Sequence, residues 1–160
     1  MPRISKENYY LDIAETVIGR ATCLRRCYGA IIEKNDEIIA TGYNGAPRGR
    51  CNCVDLGKCT RETLNVPQGE RYELCRSVHA EANAIISAAR RDTVGGTLYL
   101  AGKDAKTGKL LHDTSSCAMC KRMIINAGIK KVIARTGPGT YNITDVQEWI
   151  DTDDSLPTNT

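Results

Sequence analysis

The chain is poor in histidine and aromatic residues and carries little net charge. Its 160 residues include two histidines, one tryptophan and no phenylalanine, and 22 Lys and Arg nearly balance 19 Asp and Glu. Recognition of nucleic acid would need a basic stripe or an aromatic platform, and the sequence shows neither. It also lacks a run of about 20 apolar residues that could span a bilayer. We therefore expect a small-molecule partner, with no nucleic acid and no membrane.

The two ends of the chain give further expectations. The first residues, MPRISKENYY, lack the apolar core of a secretory signal, which favours a cytoplasmic protein. The length suits one domain with a sizeable core, and we predict a single domain over residues 1–150. The final residues, DTDDSLPTNT, are expected to form a disordered tail over 151–160, because polar chain ends with little to bury are poorly ordered.

The pattern of apolar residues predicts helices that alternate with strands. The predicted elements are a helix after Ser5, a hairpin of residues 28–32 and 38–42, a long loop over 42–69, a buried helix over 78–91, a strand over 97–101, a helix over 117–128, a strand over 130–134 and a last helix in ITDVQEWI. Alternating strands and helices indicate a layered α/β domain, and the early hairpin makes its sheet mixed.

Eight cysteines are many for such a chain, and in a reducing compartment they favour metal binding over disulfides. Cys117 and Cys120 lie on one face in the first turn of a predicted helix, where the helix dipole favours thiolate. We expect Ser115 or Ser116 to cap that helix. His79, at the start of the preceding buried helix, is the expected third ligand. Three protein ligands leave one position of a tetrahedral zinc open for water.

Glu81 follows His79 by two residues and needs a role other than metal ligand, because positions i and i+2 do not share a helix face. In the first turn its long side chain can still reach the water. Zinc would lower the pKa of that water toward neutrality, and Glu81 would pass its proton to a ring nitrogen and a leaving amine. H-x-E with a later C-x-x-C is typical of zinc nucleobase deaminases. The alternatives are a His–Glu pair satisfied in the core, and a CxxC that is redox-active or simply buried.

Four stretches, CLRRCYGAII, IIATGYNGAPRG, HAEANAI and CAMCKRMIINAGIKKV, resemble the cytidine deaminase superfamily and, within it, the deoxycytidylate (dCMP) deaminases. The resemblance runs from about residue 20 to 134, and Asn83 in HAEANAI favours the dCMP branch. It implies a three-layer α/β/α sandwich with a mixed central sheet. It also implies a homo-oligomer, commonly a hexamer, and zinc-dependent hydrolysis of dCMP to dUMP and ammonia, which feeds thymidylate synthesis.

Two departures from the family pattern keep other functions open. Ser116 stands where the family usually has proline, and the loop over 102–116 is longer than expected beside the pocket. A deaminase of another cytosine or aminated-purine nucleoside, nucleotide or base is therefore one alternative. A zinc-binding interaction module without catalytic activity is another, although the intact His79, Glu81, Cys117 and Cys120 argue against it.

The resemblance also implies particular substrate contacts and effectors. Asn44 of GYNG would contact the sugar, the backbone at Ala80 would contact the amide edge of cytosine, and the segment at Ser115 would line the pocket. Activation by dCTP with Mg²⁺ and inhibition by dTTP are further properties of such enzymes. Five cationic side chains are candidates for binding phosphate, and none of them is singled out: Arg20, Arg25, Arg26, Arg48 and Lys121.

The remaining cysteines are concentrated in a loop without regular patterning, which a second zinc would organise. Some dCMP deaminases, which this chain resembles, hold such a structural zinc with a cysteine from the end of the first helix. On that resemblance the predicted ligands are Cys23, Cys53, Cys59 and Cys75, with Cys51 as the substitute. Free thiols are the alternative.

Overall fold

A five-stranded sheet with helices on both faces forms the centre of the computed structural model, which describes residues 1–152. The elements are α1 (Lys6–Ile18), β1 (Arg26–Lys34), β2 (Glu37–Tyr43), α2 (Cys53–Leu56), α3 (Thr60–Thr63), a 3-10 turn (Tyr72–Leu74), α4 (Ala80–Ile86), α5 (Arg90–Thr93), β3 (Thr97–Asp104), α6 (Ala118–Asn126), β4 (Lys131–Gly137), β5 (Thr140–Asp145) and α7 (Val146–Asp151). Residues 153–160, most of the predicted disordered tail, lie outside the described residues. Among residues 1–152, every helix is too short or too polar to serve as a membrane span.

The strands are ordered β2-β1-β3-β4-β5, and β3–β4 is the parallel pair among otherwise antiparallel neighbours. The predicted mixed sheet is therefore confirmed. The crossovers from β2 to β3 and from β3 to β4 carry α4 and α6, so both helices begin at the same edge of the sheet. This topology brings two distant sequence motifs to one place.

The hairpin between β1 and β2 turns where the sequence predicts it. Asn35 and Asp36 both have positive φ, 53° and 64°, as a two-residue type I′ turn requires. Such a turn matches the twist of the flanking strands, and Asn and Asp tolerate the left-handed conformation better than most residues. The helix predicted after Ser5 is also confirmed, and the Ser5 hydroxyl accepts a hydrogen bond from the Asn8 amide at 3.2 Å.

Alternate residues of the central strands are buried on opposite faces of the sheet. On one face, side chains of α1 pack against β1, β3 and β4; the buried residues are Tyr10, Leu11, Ala14, Ile18, Ile31, Tyr99, Ala101 and Ile133. On the other face, α4, α6 and α7 cover the sheet; the buried residues are Ala30, Ile32, Ala80, Ala84, Leu98, Leu100, Ile124, Ala127, Ile129, Val132 and Val146. Two apolar cores separated by one sheet make the expected three-layer α/β/α sandwich.

Two predicted helices are wrong in extent. The single helix over 78–91 is divided into α4 and α5, and Ile86 is 72 % exposed although the apolar sequence favoured burial. The sheet covers α4 on one side, so its outer positions face solvent. The helix predicted in ITDVQEWI begins only at Val146, because the preceding residues pair with β4 as β5. Asp145 caps this shorter helix by accepting a hydrogen bond from the Gln147 amide.

Candidate metal centre and active site

Three predicted metal ligands meet at the starts of α4 and α6. His79 is the N-cap of α4, Cys117 is the N-cap of α6, and Cys120 lies in the first turn of α6. The Nδ1 atom of His79 is 3.6 Å from the Cys117 Sγ and 3.4 Å from the Cys120 Sγ. Tetrahedral zinc with ordinary Zn–S and Zn–N bond lengths places its ligand atoms roughly 3.6 Å apart. The donor types and their spacing therefore fit zinc.

The ionisation of these groups also favours a cation between them. Hydrogen bonds from the Cys120 thiol and His79 lower the pKa of the Cys117 thiol to about 4, against the opposing effect of burial. Burial by itself would lower the pKa of His79, but hydrogen bonds with Cys117 and Cys75 outweigh it and raise that pKa to about 10. The cluster thus pairs the Cys117 thiolate with a protonated imidazole at His79. A metal cation can take the place of the imidazole proton between them.

The predicted serine cap of α6 is wrong. Cys117 occupies the N-cap position, and no side chain caps the helix by a hydrogen bond. Ser116, where the family pattern has proline, is 5 % exposed, and its hydroxyl has no hydrogen-bond partner among the described residues. The Ser116 hydroxyl is close enough to Glu81 to lower the pKa of that carboxyl group, although the geometry between the two groups is not that of a hydrogen bond.

Glu81 is a buried carboxyl group beside the metal ligands. It is 5 % exposed, and burial raises its pKa above the ordinary value for glutamate. It lies in the first turn of α4 and lines the same pocket as His79 and Cys117, so it is next to the cluster. A carboxyl group in such surroundings can hold a proton and release it next to the metal site.

Close backbone packing fixes the position of α4. A Cβ atom on Gly42 of β2 would overlap the carbonyl oxygen of Ala80 and the amide nitrogen of Ala84. Only glycine therefore allows the helix to lie this close to the strand. The Asn83 side chain adds a hydrogen bond of 2.8 Å to the Tyr43 carbonyl at the end of β2. The start of α4, with its histidine and glutamate, is thereby held against the sheet.

A pocket of about 130 Å³ opens over the cluster and contains several of the predicted site residues. His79, Glu81 and Cys117 line it together with Asn44 and Ser115. Ala80 is fully buried and is not among the lining residues. The pocket is therefore the space in which a substrate would meet the candidate catalytic groups.

Asn44 links the loop after β2 to β1. Its Oδ1 accepts a hydrogen bond from the Tyr28 amide at 2.8 Å, and its Nδ2 donates to the Arg26 carbonyl at 2.9 Å. A primary amide can form up to four hydrogen bonds, so two positions are not used by these contacts. Asn44 therefore connects its loop to β1 by hydrogen bonds and also lines the pocket.

A stack of two side chains, which was not predicted from the sequence, supports His79. The edge of the Tyr72 ring meets the His79 ring at a centroid distance of 5.0 Å and an interplanar angle of 86°. Arg61 lies over the Tyr72 ring at 4.3 Å and is only 6 % exposed. Its guanidinium donates hydrogen bonds to the carbonyls of Pro67 and Glu70. Arg61 thus orders the loop that places Tyr72 against the imidazole.

The four cysteines predicted to bind a second zinc lie in one region. Cys53 is buried, and its pKa is raised by burial and by the nearby Cys23, Cys75 and Cys59. In the chain as described, no three of these sulfurs lie within 4.8 Å of one another, while Cys51 is exposed. The second zinc stays a prediction.

The fold and the cluster at the two helix starts define a zinc-binding protein with the cytidine deaminase fold. Residues 4–136 match the family described as the cytidine and deoxycytidylate deaminase zinc-binding region, and the chain belongs to this family. The resemblance noted in the sequence is therefore confirmed.

Individual relatives agree with this assignment. The chain is 33% identical over 141 residues to deoxycytidylate deaminase of Schizosaccharomyces pombe, covering 88% of this chain and 39% of that protein. It is 33% identical over 138 residues to deoxycytidylate deaminase of Mycobacterium phage D29, covering 83% of this chain and 96% of the phage protein. The chain thus spans about two fifths of the yeast relative but nearly all of the phage one.

A solved structure of dCMP deaminase from the cyanophage S-TIM5, in complex with dCMP and dUMP, superposes with a TM-score of 0.56 at 28% identity. The match covers 85% of this chain and 86% of the phage chain. The sandwich described above is therefore also found in a solved member of this group.

Proposed function

We propose that the chain catalyses zinc-dependent hydrolysis of dCMP to dUMP with release of ammonia. The observation that carries the proposal is the meeting of His79, Cys117 and Cys120 beside a pocket that the buried Glu81 lines. The names of the S. pombe and phage D29 relatives support dCMP as the substrate.

The side chains of this site have separate roles in the proposed reaction. His79, Cys117 and Cys120 would hold zinc, which when bound supplies Lewis-acid activation of the attacking water. Glu81 takes a proton from that water and delivers protons to the ring nitrogen and the departing amine. A C4–O bond forms and the C4–N bond breaks, so that each dCMP consumes one water and releases one ammonia.

Three further contacts belong to the proposal. Asn44 uses its remaining hydrogen-bonding positions for the sugar, and the backbone at Ala80 contacts the amide edge of the cytosine. The segment at Ser115 lines the base pocket. The position of Asn44 and Ser115 on the pocket wall supports these roles.

Ammonia release from dCMP, dCTP, cytidine, deoxycytidine and guanine tests the reaction and the substrate together. We expect dCMP to be the best substrate and Glu81→Ala to abolish turnover while zinc binding is retained. Glu37→Ala, an exposed carboxylate on β2, is the matched control and should leave the rate unchanged. No ammonia from any compound would leave a non-catalytic zinc-binding module as the function, and activity on nucleosides but not on dCMP would assign a different deaminase.

We also propose a second, structural zinc bound by Cys23, Cys53, Cys59 and Cys75, with Cys51 as the substitute ligand. The proximity of Cys23, Cys59 and Cys75 to Cys53, which contributes to the raised pKa of the Cys53 thiol, supports this site. Metal analysis should give two zinc ions per chain in the wild type and one in the Cys53→Ser, Cys59→Ser double variant. One zinc per chain in both proteins would remove the second site.

Other properties follow from family membership as proposals. The protein is a cytoplasmic homo-oligomer, with a hexamer favoured, and residues 1–150 act as one domain. It is activated by dCTP with Mg²⁺ and inhibited by dTTP. Light scattering gives the oligomeric state, and initial rates with and without each nucleotide test the regulation. A monomer whose rate does not respond to either nucleotide would contradict both statements.

A further inference from the structure

Ser116 is a buried residue beside the candidate catalytic glutamate, and its hydroxyl group has no structural role in the folded chain. The residue is 5 % exposed, and its Oγ has no hydrogen-bond partner among residues 1–152. The two preceding hydroxyl groups are accounted for, since Thr114 donates to the Leu111 carbonyl at 3.4 Å and Ser115 is exposed. Burying a hydroxyl group without a partner costs free energy, so the Ser116 hydroxyl calls for an explanation.

The segment that leads into α6 determines where the hydroxyl group of Ser116 lies. Thr114 is buried, Ser115 is exposed and Ser116 is buried, so successive residues alternate between the inside and the outside. Ser115 lines the catalytic pocket, whereas Ser116 is not among the lining residues. The Ser116 side chain is therefore set back from the space that a substrate would occupy.

The carboxyl group of Glu81 is the neighbour that can use this hydroxyl group. The starts of α4 and α6 meet where the Nδ1 atom of His79 lies 3.6 Å from the Cys117 Sγ. Ser116 immediately precedes Cys117, and Glu81 lies in the first turn of α4. The Ser116 hydroxyl opposes the effect of burial on the pKa of the Glu81 carboxyl group, which requires the two groups to be close. A small movement would complete a hydrogen bond between them.

A hydroxyl group suits either form of a carboxyl group that takes up and releases a proton. Serine Oγ carries one donor hydrogen and two acceptor lone pairs, and the hydroxyl hydrogen rotates to suit its partner. Proline, the usual residue of the family pattern at position 116, has neither capacity. Cys120 also lies near the Glu81 carboxyl group, but as a metal ligand it is a thiolate and has no proton to donate.

We propose that the Ser116 hydroxyl forms a hydrogen bond with the Glu81 carboxyl group when substrate is bound and holds it in the orientation for proton transfer. This inference rests on the proposed function, because it assigns to Glu81 the proton transfers of a deaminase. Ser116 is a positioning residue, since it acts through Glu81 and contacts neither the substrate nor the metal. Catalytic hydrogen bonds are often long or misaligned in a free enzyme and tighten in its complexes, which accounts for the hydroxyl without a partner.

Kinetic constants with dCMP test the positioning role. Ser116→Ala removes the hydroxyl group and little else, so kcat should fall about ten- to a hundred-fold, as expected for loss of a hydrogen bond to a charged group, while KM changes by less than about two-fold. Ser116→Thr keeps a hydroxyl group and should keep most of the rate. Thr114→Val, the matched control, removes a buried hydroxyl group two residues away and should leave kcat unchanged.

Zinc content and the free energy of unfolding should not fall in Ser116→Ala. The hydroxyl group has no partner to lose in the free protein, so alanine removes a buried polar group without breaking a hydrogen bond. A lower kcat at undiminished stability is an outcome that a purely structural role of Ser116 would not give.

The carbon-13 resonance of the Glu81 carboxyl group provides a readout that does not depend on turnover. Glu81→Gln identifies this resonance in the spectrum of the protein bound to dUMP. Ser116→Ala should shift the resonance, because the carboxyl group loses a hydrogen bond. Thr114→Val should leave it in place.

The outcomes separate this inference from the proposed reaction. If the wild type deaminates dCMP and Ser116→Ala does so equally fast, the positioning role is wrong and the reaction stands. Equal losses in Ser116→Ala and Ser116→Thr, or a loss of zinc or stability in Ser116→Ala, would show that packing at this position matters and not the hydroxyl group, and would overturn the inference. If no compound yields ammonia but the Glu81 resonance shifts in Ser116→Ala and not in Thr114→Val, the hydrogen bond stands and the reaction is wrong.

Discussion

Replacing Gly42 with alanine should disturb the active site from a position that no substrate touches. The added Cβ would meet the Ala80 carbonyl oxygen and the Ala84 nitrogen, overlapping by roughly 1 Å relative to van der Waals contact. Both atoms belong to the backbone of α4, so no side-chain rotation can relieve the overlap. The helix must move away from β2, and His79 and Glu81 at its start move with it.

The structure sets the size of the expected effects. Overpacking of a well-packed interior costs about 1–3 kcal/mol, so the free energy of unfolding should fall by that amount in urea titrations. A displacement of about 1 Å at catalytic groups can lower the rate about a hundred-fold. We therefore expect Gly42→Ala to lower kcat/KM for dCMP by about that factor and to weaken zinc binding in competition with a chelator.

Gly29→Ala is the matched control on the opposite face of the sheet. Its Cβ would overlap the Ala14 carbonyl oxygen of α1, which lies away from the metal ligands. Neither glycine has a positive φ, so alanine is tolerated by the local backbone conformation at both positions. The control should lose similar stability and keep its zinc affinity. Equal zinc affinity and equal kcat/KM in the two variants would refute the idea that contact with β2 positions the site.

Three further substitutions test individual contacts. Arg61→Met removes the hydrogen bonds that order the loop before Tyr72, so the free energy of unfolding in urea should fall by about 1–3 kcal/mol. Zinc affinity should fall about ten-fold because the imidazole of His79 loses its contact with an ordered Tyr72. Asn44→Ala leaves the partly buried Tyr28 amide without its partner and should cost about 1–3 kcal/mol in the same assay. Ser5→Ala removes the cap of α1 and should cost about 1 kcal/mol, with no change in ammonia release.

Each of these predictions has an outcome that would contradict it. Unchanged zinc affinity in Arg61→Met would mean that Tyr72 does not hold the imidazole in place. Full stability of Asn44→Ala would mean that water replaces the amide without cost. The core that contains α1 and the core that contains α4 lie on opposite faces of the sheet, so we expect the cap of α1 to have no effect on the site. A loss of activity in Ser5→Ala would contradict this expectation.

Local motifs indicated the candidate metal centre in the sequence because each one stands at a helix start. The HAE and CAMC patterns define which side chains share a first turn, and the alternating strands and helices indicate that the two starts can meet. The hairpin was equally predictable, since Asn35 and Asp36 suit the left-handed turn that they form. These features depend on residues that are close in sequence.

Long-range contacts account for what the sequence did not reveal. Arg61 and Tyr72 lie in or near a loop without periodicity, and their roles depend on carbonyl groups and a ring brought together by folding. β5 forms because its partner strand offers a free edge, which local preference for helix in ITDVQEWI could not foresee.

The parallel pairing of β3 and β4 has a consequence for stability as well as for the position of the ligands. A metal ion held by His79 and Cys117 would join residues 38 positions apart and so close a loop that includes α4, α5 and β3. Such a cross-link restricts the unfolded chain more than the folded one. Zinc would then cross-link the crossover from β2 to β3 with the crossover from β3 to β4. After the zinc is removed by a chelator, the amides of β3 should exchange faster with solvent deuterium, measured at constant protein concentration and pH.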